Sequence, residues 1–270
     1  MKLAAHQISF TSNKTKNLAT MLSCLEKTKA HLHIFPEYCM GYPNNGLNPT
    51  FIKENAEQLN GPFVSKLLEI TKKLHSAVVF TTLLVENNHF FNVAVLAQNG
   101  KIKALYKKIH LFDALGHKES DLFSAGDKIA IARIQEFKVG LAICFDLRFP
   151  QLFRTMAYMG VDLFIVPSAW YIGKHKVEQW EVLTKARAHE NNAYLVAVNQ
   201  ASPQFIGNSL IVSPFATNIK QANAKQITLL TELDKNTLIE SKKQIPTIKL
   251  SKPQLYKKLH FYNFEHSNQQ

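Results

Sequence analysis

The stretch Phe137-Lys-Val-Gly-Leu-Ala-Ile-Cys144-Phe-Asp-Leu-Arg148-Phe-Pro150 decides how the chain is read. Apolar and β-branched residues lead to one cysteine; an acid, an arginine and a proline follow. Val139 to Ile143 is short, apolar and preceded by a charged segment, which predicts a buried strand. Pro150 suits the first turn of a helix, because the N–H it lacks has no helical acceptor there. Cys144 therefore falls on a sharp turn from strand to helix. The free N–H groups and partial positive charge of a helix start favour a thiolate at such a place. A buried core cysteine is the competing reading, since free cysteine is among the most buried residue types. The stretch alone leaves both open.

Working outward, Ile129 to Ile134 pairs with Phe137 to Ile143 as a hairpin. Phe149 to Met159 reads as a helix, Asp162 to Val166 as a strand ending at Pro167-Ser168-Ala169-Trp170, Glu178 to Asn191 as a long helix and Ala193 to Asn199 as the next strand. Upstream, Lys2 to Phe10 and His31 to Phe35 are strands around a helix from Lys14 to Ala30. Pro36 stops the second strand, and Glu37 stands at its end. Gly41 to Pro49 is a loop by its Gly, Pro and Asn content. Pro62 to Leu74 has helical apolar spacing. Ala77 to Val85, Phe90 to Gln98 and Ile102 to Tyr106 are strands joined by turns, Asn99-Gly100 being a strong hairpin signal. Tyr106-Lys107-Lys108-Ile109-His110-Leu111-Phe112 then sets a lysine pair among apolar neighbours. A buried ammonium must find a partner or lose its charge. Asp113 to Asp127 is a polar loop holding Glu119. Asn208 to Ser213 and Thr228 to Leu233 are further strands, the latter read as a last core strand, and Asp234 caps a helix from Lys235 to Ser241. A basic, aromatic tail runs from Lys249 to Phe264.

The 270 residues allow one sizeable domain, read as 1–270 with a C-terminal tail from about 247. The net charge of +12 points either to anionic partners or to a solvated basic surface; the lysines form no long run. Cys24, Cys39 and Cys144 are too few and too spread for a disulfide framework. His31, His33, His110 and His117 lack a placed third ligand, so no metal is expected, and no cofactor. The start of the chain does not read as a signal peptide, and no stretch approaches a membrane span, so a reducing cytoplasm and no membrane partner are expected. Strands alternate with helices but include hairpins, which predicts an α/β fold of two mixed sheets with helices outside.

Four blocks carry a resemblance: Phe35-Pro36-Glu37, Tyr106 to Phe112, Cys144 to Pro150, and Lys185-Ala-Arg187-Ala-His-Glu190-Asn191. In this order the chain resembles the nitrilase superfamily of carbon–nitrogen hydrolases from about Leu3 to Tyr256. The resemblance implies a four-layer α-β-β-α sandwich with Glu37, Lys108 and Cys144 meeting at one mouth. It implies Cys144 as nucleophile, Glu37 as proton shuttle, and Lys108 with the Phe145 N–H as oxyanion donors. Glu119 matches a second glutamate that holds the lysine or assists proton transfer. Arg187, Glu190 and Asn191 are expected to brace the fold or line a subunit interface. The cysteine block looks most like the branch of ω-amidases and deaminated-glutathione amidases, which act on terminal amides of small carboxylate-bearing molecules. Arg148 then either binds a carboxylate or braces the turn through an ion pair. Ser168, Trp170 and Tyr171 are expected to shape the pocket, and Cys39 is a core residue or a pocket neighbour of Glu37. A homodimer or higher homo-oligomer is implied. The segment Ser213-Pro214-Phe215-Ala216-Thr217 departs from the family pattern and leaves the pocket rim open. Nitriles, N-carbamoyl amines and acyl transfer are alternative chemistries on the same triad. A basic nucleic-acid-binding protein without catalysis is the non-enzyme alternative and rests on charge alone.

Overall fold

A computed structural model describes residues 1–256 of the chain. Two six-stranded mixed sheets face each other. The first is built from β1 (Lys2–Gln7), β2 (Leu32–Ile34), β3 (Ala77–Glu86), β4 (His89–Gln98) and β5 (Lys101–Lys107), all early in the chain. The second is built from β6 (Ala130–Ile134), β7 (Phe137–Leu141), β8 (Leu163–Ser168), β9 (Tyr194–Asn199), β10 (Leu210–Val212) and β11 (Asn218–Gln221). A late strand, β12 (Ile227–Glu232), returns to the edge of the first sheet, antiparallel to β1. Only Leu229 of its six residues is buried, three being exposed and two half-buried, so it is an edge strand rather than the core strand the sequence suggested.

Each sheet repeats one pairing pattern. From β12 to β5, and from β6 to β11, the contacts run antiparallel, parallel, parallel, antiparallel, antiparallel. The two halves therefore share a plan that no repeat in the sequence reveals. Parallel neighbours need crossovers, and helices supply them. They are α1 (Lys14–Lys27), α2 (Pro49–Asn55) and α3 (Pro62–Leu74) on the first sheet and α4 (Pro150–Tyr158) and α5 (Lys176–His189) on the second; α6 (Lys235–Gln244) follows the last strand.

Strand alternation sorts the apolar residues. Ala77 and Val79 of β3 point between the sheets, with Leu3, Ile34 and Leu96, against Val139, Leu141, Ile165 and Val196 of the second sheet. Val78 and Phe80 point the other way, onto Met21 and Leu25 of α1 and Phe63, Leu67 and Ile70 of α3. Strands apolar on both faces thus become the middle layers of an α-β-β-α sandwich.

Several boundaries differ from the sequence reading. The loop expected from Gly41 ends at Pro49, and α2 begins there in a stretch to which the sequence reading assigns no element; Asn48 caps it by accepting from Phe51 N, and Pro49 opens it. β11 is short and polar and lies on an edge, so it leaves no periodic signal. Asp234 caps α6 as expected, accepting from Asn236 N. The tail shows two short helical turns, Thr247–Leu250 and Pro253–Tyr256; the rest of the basic aromatic stretch, 257–264, lies outside the described residues.

Candidate active site

The carboxyl ends of the parallel strands from both sheets converge on one cavity of about 480 Å³, the place where open α/β sheets present ligand-binding residues. Glu37, Lys108, Glu119 and Cys144 all line it.

Glu37 follows β2, where Pro36 ends the strand. The second sheet fixes its backbone: Glu37 N donates to Ser168 O at 3.2 Å, and Gln200 Nε2 donates to Glu37 O at 2.9 Å. Its carboxylate accepts from Ala169 N at 2.9 Å, Asn92 Nδ2 at 2.8 Å and Lys108 Nζ at 3.0 Å. Burial raises the Glu37 pKa; Lys108 opposes this, Glu119 adds to it, and the net direction is up.

Lys108 leaves β5 anchored by its N–H on Asn92 O at 2.9 Å. Its ammonium, almost wholly buried, lies 2.8 Å from Glu119 and 3.0 Å from Glu37. Burial alone would favour the neutral amine, but the two carboxylates outweigh it and hold the Lys108 pKa above that of an ordinary lysine. Lys107, the other candidate, turns outward to Glu86 and lies over the Phe91 ring. Glu119 sits in a short 3₁₀ turn of the polar loop and also accepts from Phe112 N at 2.7 Å and Tyr38 OH at 3.3 Å.

Cys144 follows β7 and opens a 3₁₀ turn, Cys144–Arg148, that leads through Phe149 into α4. Its φ of 45° lies in the left-handed region, which costs a non-glycine residue on the order of 1–3 kcal/mol and persists only where neighbours enforce it. Asp146 enforces it. Its carboxylate accepts from Ile143 N at 2.8 Å, Tyr106 OH at 2.9 Å, His110 N at 3.2 Å and His110 Nδ1 at 2.7 Å. From α5, Arg187 Nε donates to Leu147 O at 3.0 Å, and Arg187 pairs with Glu190, so this helix braces the turn. Asn191 in turn donates to Arg187 O at 2.9 Å.

The helix start that favours a thiolate is opposed here by burial. Burial pushes the Cys144 pKa well up, the Glu37 charge adds to it, and Lys108 only partly opposes them. The direction favours the neutral thiol over a thiolate, beside a carboxylate able to accept its proton. Phe145 lies in the first turn after Cys144, where backbone N–H groups have no helical acceptor.

Arg148, Trp170 and Tyr171 line the cavity, as does Phe145. Arg148 makes no ion pair among the described residues; it stacks 4.8 Å from the Trp170 ring and donates to Gln179 at 2.7 Å. Tyr171 shares a 2.6 Å hydroxyl contact with Tyr42 and stacks on His117 at 4.6 Å. Ser168 is the exception. It is fully buried, its hydroxyl turns back to Val166 O at 3.2 Å, and it does not line the cavity. As the last residue of β8 it points its side chain into the protein, and only its carbonyl serves the site. Cys39 is likewise core: burial pushes its thiol up to about 12, and Sγ donates to Pro36 O at 3.2 Å. His33 contacts His6 at 3.1 Å, and no group of three or more His, Cys, Asp or Glu side chains placed to hold a metal occurs among the described residues.

Sequence reasoning missed Asn92, whose side-chain amide bridges Glu37 and Glu119 at 2.8 and 3.2 Å. The only signal was one amide inside an apolar strand. It also missed Tyr38, Tyr42 and Lys176, which face the cavity from loops and a helix start.

Comparisons with known proteins place the fold and the family. The carbon-nitrogen hydrolase family profile matches residues 2–243. A deaminated glutathione amidase of Escherichia coli O157:H7 is 29% identical over 263 residues, 94% of this chain and 100% of that protein. The mouse omega-amidase NIT2 is 28% identical over 270 residues, 94% of this chain and 96% of that protein. The crystal structure of XC1258 from Xanthomonas campestris, a CN-hydrolase superfamily protein, superposes with a TM-score of 0.85 at 22% identity, over 93% of this chain and 97% of that one. With its sandwich, its strand-end cavity and a match over nearly its whole length, the chain belongs to the carbon–nitrogen hydrolase family.

Proposed function

We propose that this hydrolase cleaves the terminal amide of a small carboxylate-bearing molecule and releases ammonia through a thioester on Cys144. The observation that carries the reading is the meeting of Glu37, Lys108 and Cys144 in one cavity. Sγ of Cys144 attacks the amide carbon while Glu37 takes the thiol proton. The carbonyl oxygen becomes an oxyanion facing Lys108 Nζ and Phe145 N–H. The C–N bond then breaks, Glu37 returns the proton to the leaving nitrogen, and the thioester remains. Water attacks the thioester and gives Glu37 a proton; the C–S bond breaks, and that proton returns to sulfur. Glu119 holds the lysine in line between the two carboxylates.

The names of the E. coli and mouse relatives support an amide substrate. The unpaired guanidinium of Arg148 at the cavity wall supports a carboxylate on it. A reducing compartment belongs to this reading because the free thiol of Cys144 must survive. So does a homo-oligomer, since Ile172 and Val182, beside and on α5, are exposed apolar residues that a second copy could cover.

The test is ammonia release from ω-amides of dicarboxylic acids, neutral amides, nitriles and N-carbamoyl amines, with Cys144→Ala alongside. Release from the ω-amides, lost in the variant, is expected. Release only from nitriles or carbamoyl compounds would keep the triad and discard the substrate.

A further inference from the structure

Lys176 opens α5, one residue after His175, whose φ of 60° turns the chain, and it lines the cavity. Only 9% of its surface is exposed. Its ammonium has neither an ion pair nor a hydrogen bond among the described residues. It lies 5.6 Å from the Trp170 ring and 5.9 Å from the Phe112 ring. Arg148 lies over the same Trp170 ring at 4.8 Å, and its one side-chain partner is the neutral Gln179. Lys118, also at the cavity, is different: it is exposed and paired with Asp121.

Two cations at one cavity wall, neither in an ion pair among the described residues, repel each other, and partial burial worsens it. Burial lowers the Lys176 pKa and the Arg148 charge lowers it further, while ionisation of Cys144 would act the other way. Aromatic faces attract cations but do not neutralise them. A fold that spends stability on such a pair at a cavity wall is prepared for an anion between them.

We infer that Lys176 and Arg148 form a two-cation anchor for the distal carboxylate of the substrate, with Lys176 a specificity-determining residue. This rests on the amidase reading for the word substrate, but the anchor itself concerns only binding. The anchor selects an amide whose other end is a carboxylate, held along the faces of Trp170 and Phe112. A neutral amide of equal length would leave both cations unpaired.

Protection of Cys144 from iodoacetamide by glutarate tests the anchor without turnover. The probe is the full chain, with the alkylation rate in the absence of glutarate reporting an intact site. Lys176→Gln is expected to raise the half-protecting glutarate concentration by about 30-fold or more, as for loss of one partner of a buried charge pair. Lys176→Arg keeps the charge and should change it by less than about threefold. An unchanged concentration in Lys176→Gln, equal loss in both variants, or no protection of the parent chain would each overturn the anchor. If ω-amides are not hydrolysed yet glutarate protects through Lys176, the anchor stands and the amidase reading fails.

Discussion

His110 Nδ1 donates to the Asp146 carboxylate at 2.7 Å, and each of these residues stands two positions after a member of the candidate triad, Lys108 and Cys144. One contact thus ties the lysine segment of the first sheet to the cysteine turn of the second. The carboxylate is an acceptor only, so the imidazole proton is on Nδ1. The ring lies flat on Phe149, 3.6 Å away and tilted by only 5°.

Replacing Asp146 by Ala should therefore loosen the turn rather than the pocket. Four hydrogen-bond donors would lose their acceptor. A stability loss of about 2–3 kcal/mol follows from unmade buried bonds. The kcat should fall by on the order of 10²-fold, with KM moving less, since displacement of a nucleophile by about 1 Å has that cost. Steady-state kinetics with a urea titration would check this; a kcat within a few-fold of the parent would show that the turn holds itself.

Lys108→Met would leave Glu37 and Glu119 facing each other without a cation. Breaking a buried ion pair from one side costs about 3–5 kcal/mol. Losing an oxyanion donor costs on the order of 10²–10³ in kcat. Both losses are expected together, and an unchanged denaturation midpoint would mean that the triplet of charges does not exist in solution.

The acid limb of the pH profile should lie above that of an ordinary glutamate. Glu37 accepts a proton only when ionised, and burial, then Glu119, leave its pKa raised in spite of Lys108. Activity is then lost as pH falls through that raised value. The Asn92 amide favours the ionised form, so Asn92→Ala should move the limb to still higher pH. A purely structural role for Asn92 would lower the rate at every pH and leave the limb in place; kcat/KM from pH 4 to 8 distinguishes the two.

Gly126→Ala should disturb the lysine from behind. A Cβ there would stand 2.2 Å from Lys107 O and 2.8 Å from its carbonyl carbon, and Gly126 N donates to Lys108 O at 2.8 Å. The backbone must shift, at a cost of about 1–3 kcal/mol as for overpacking elsewhere. Thermal unfolding and kcat should fall together, and a variant as stable and as active as the parent would refute the close approach.

The buried pair His6 and His33 predicts a pH dependence of stability unrelated to the site. Their rings contact at 3.1 Å, and burial lowers their pKa values to about 3 and about 4. The unfolded chain takes up these protons near pH 6.5 and the folded chain does not, so stability is full above 6.5 and falls as pH drops toward 4. Urea midpoints at pH 7 and 4.5 should diverge less in the double variant His6→Gln with His33→Gln. Identical divergence would assign the acid loss to carboxylates alone.

Much of this architecture was legible because local chemistry announces itself. The helix Pro62–Leu74 starts at a proline and carries a clean apolar stripe, and its bounds agree with the reading. Asn99-Gly100 turns β4 into β5 as its dipeptide demands. Glu37, Lys108 and Cys144 each end an apolar strand, but it was the resemblance of their blocks to the carbon–nitrogen hydrolases, taken in order, that singled them out. α2 escaped because its cap, Asn48-Pro49, lies in a stretch whose composition reads as loop. Ser168 was misplaced because a residue at a strand end can face either way, and only the sheet packing decides which.

The sequence by itself determined most of the elements and the mixed-sheet α/β class, because periodicity, caps and turns are local properties, while the sandwich and the residue types able to hydrolyse a C–N bond were what its resemblance to a known family implied. Only the tertiary structure decided which charges meet. Glu37 and Lys108 are 71 positions apart and bond at 3.0 Å. Asn92 gained its place between two carboxylates, Cys144 its raised pKa, and Lys176 its place at the cavity wall with Arg148. Each follows from burial and from partners on other strands and helices, and no local pattern in one chain segment encodes the distance to another.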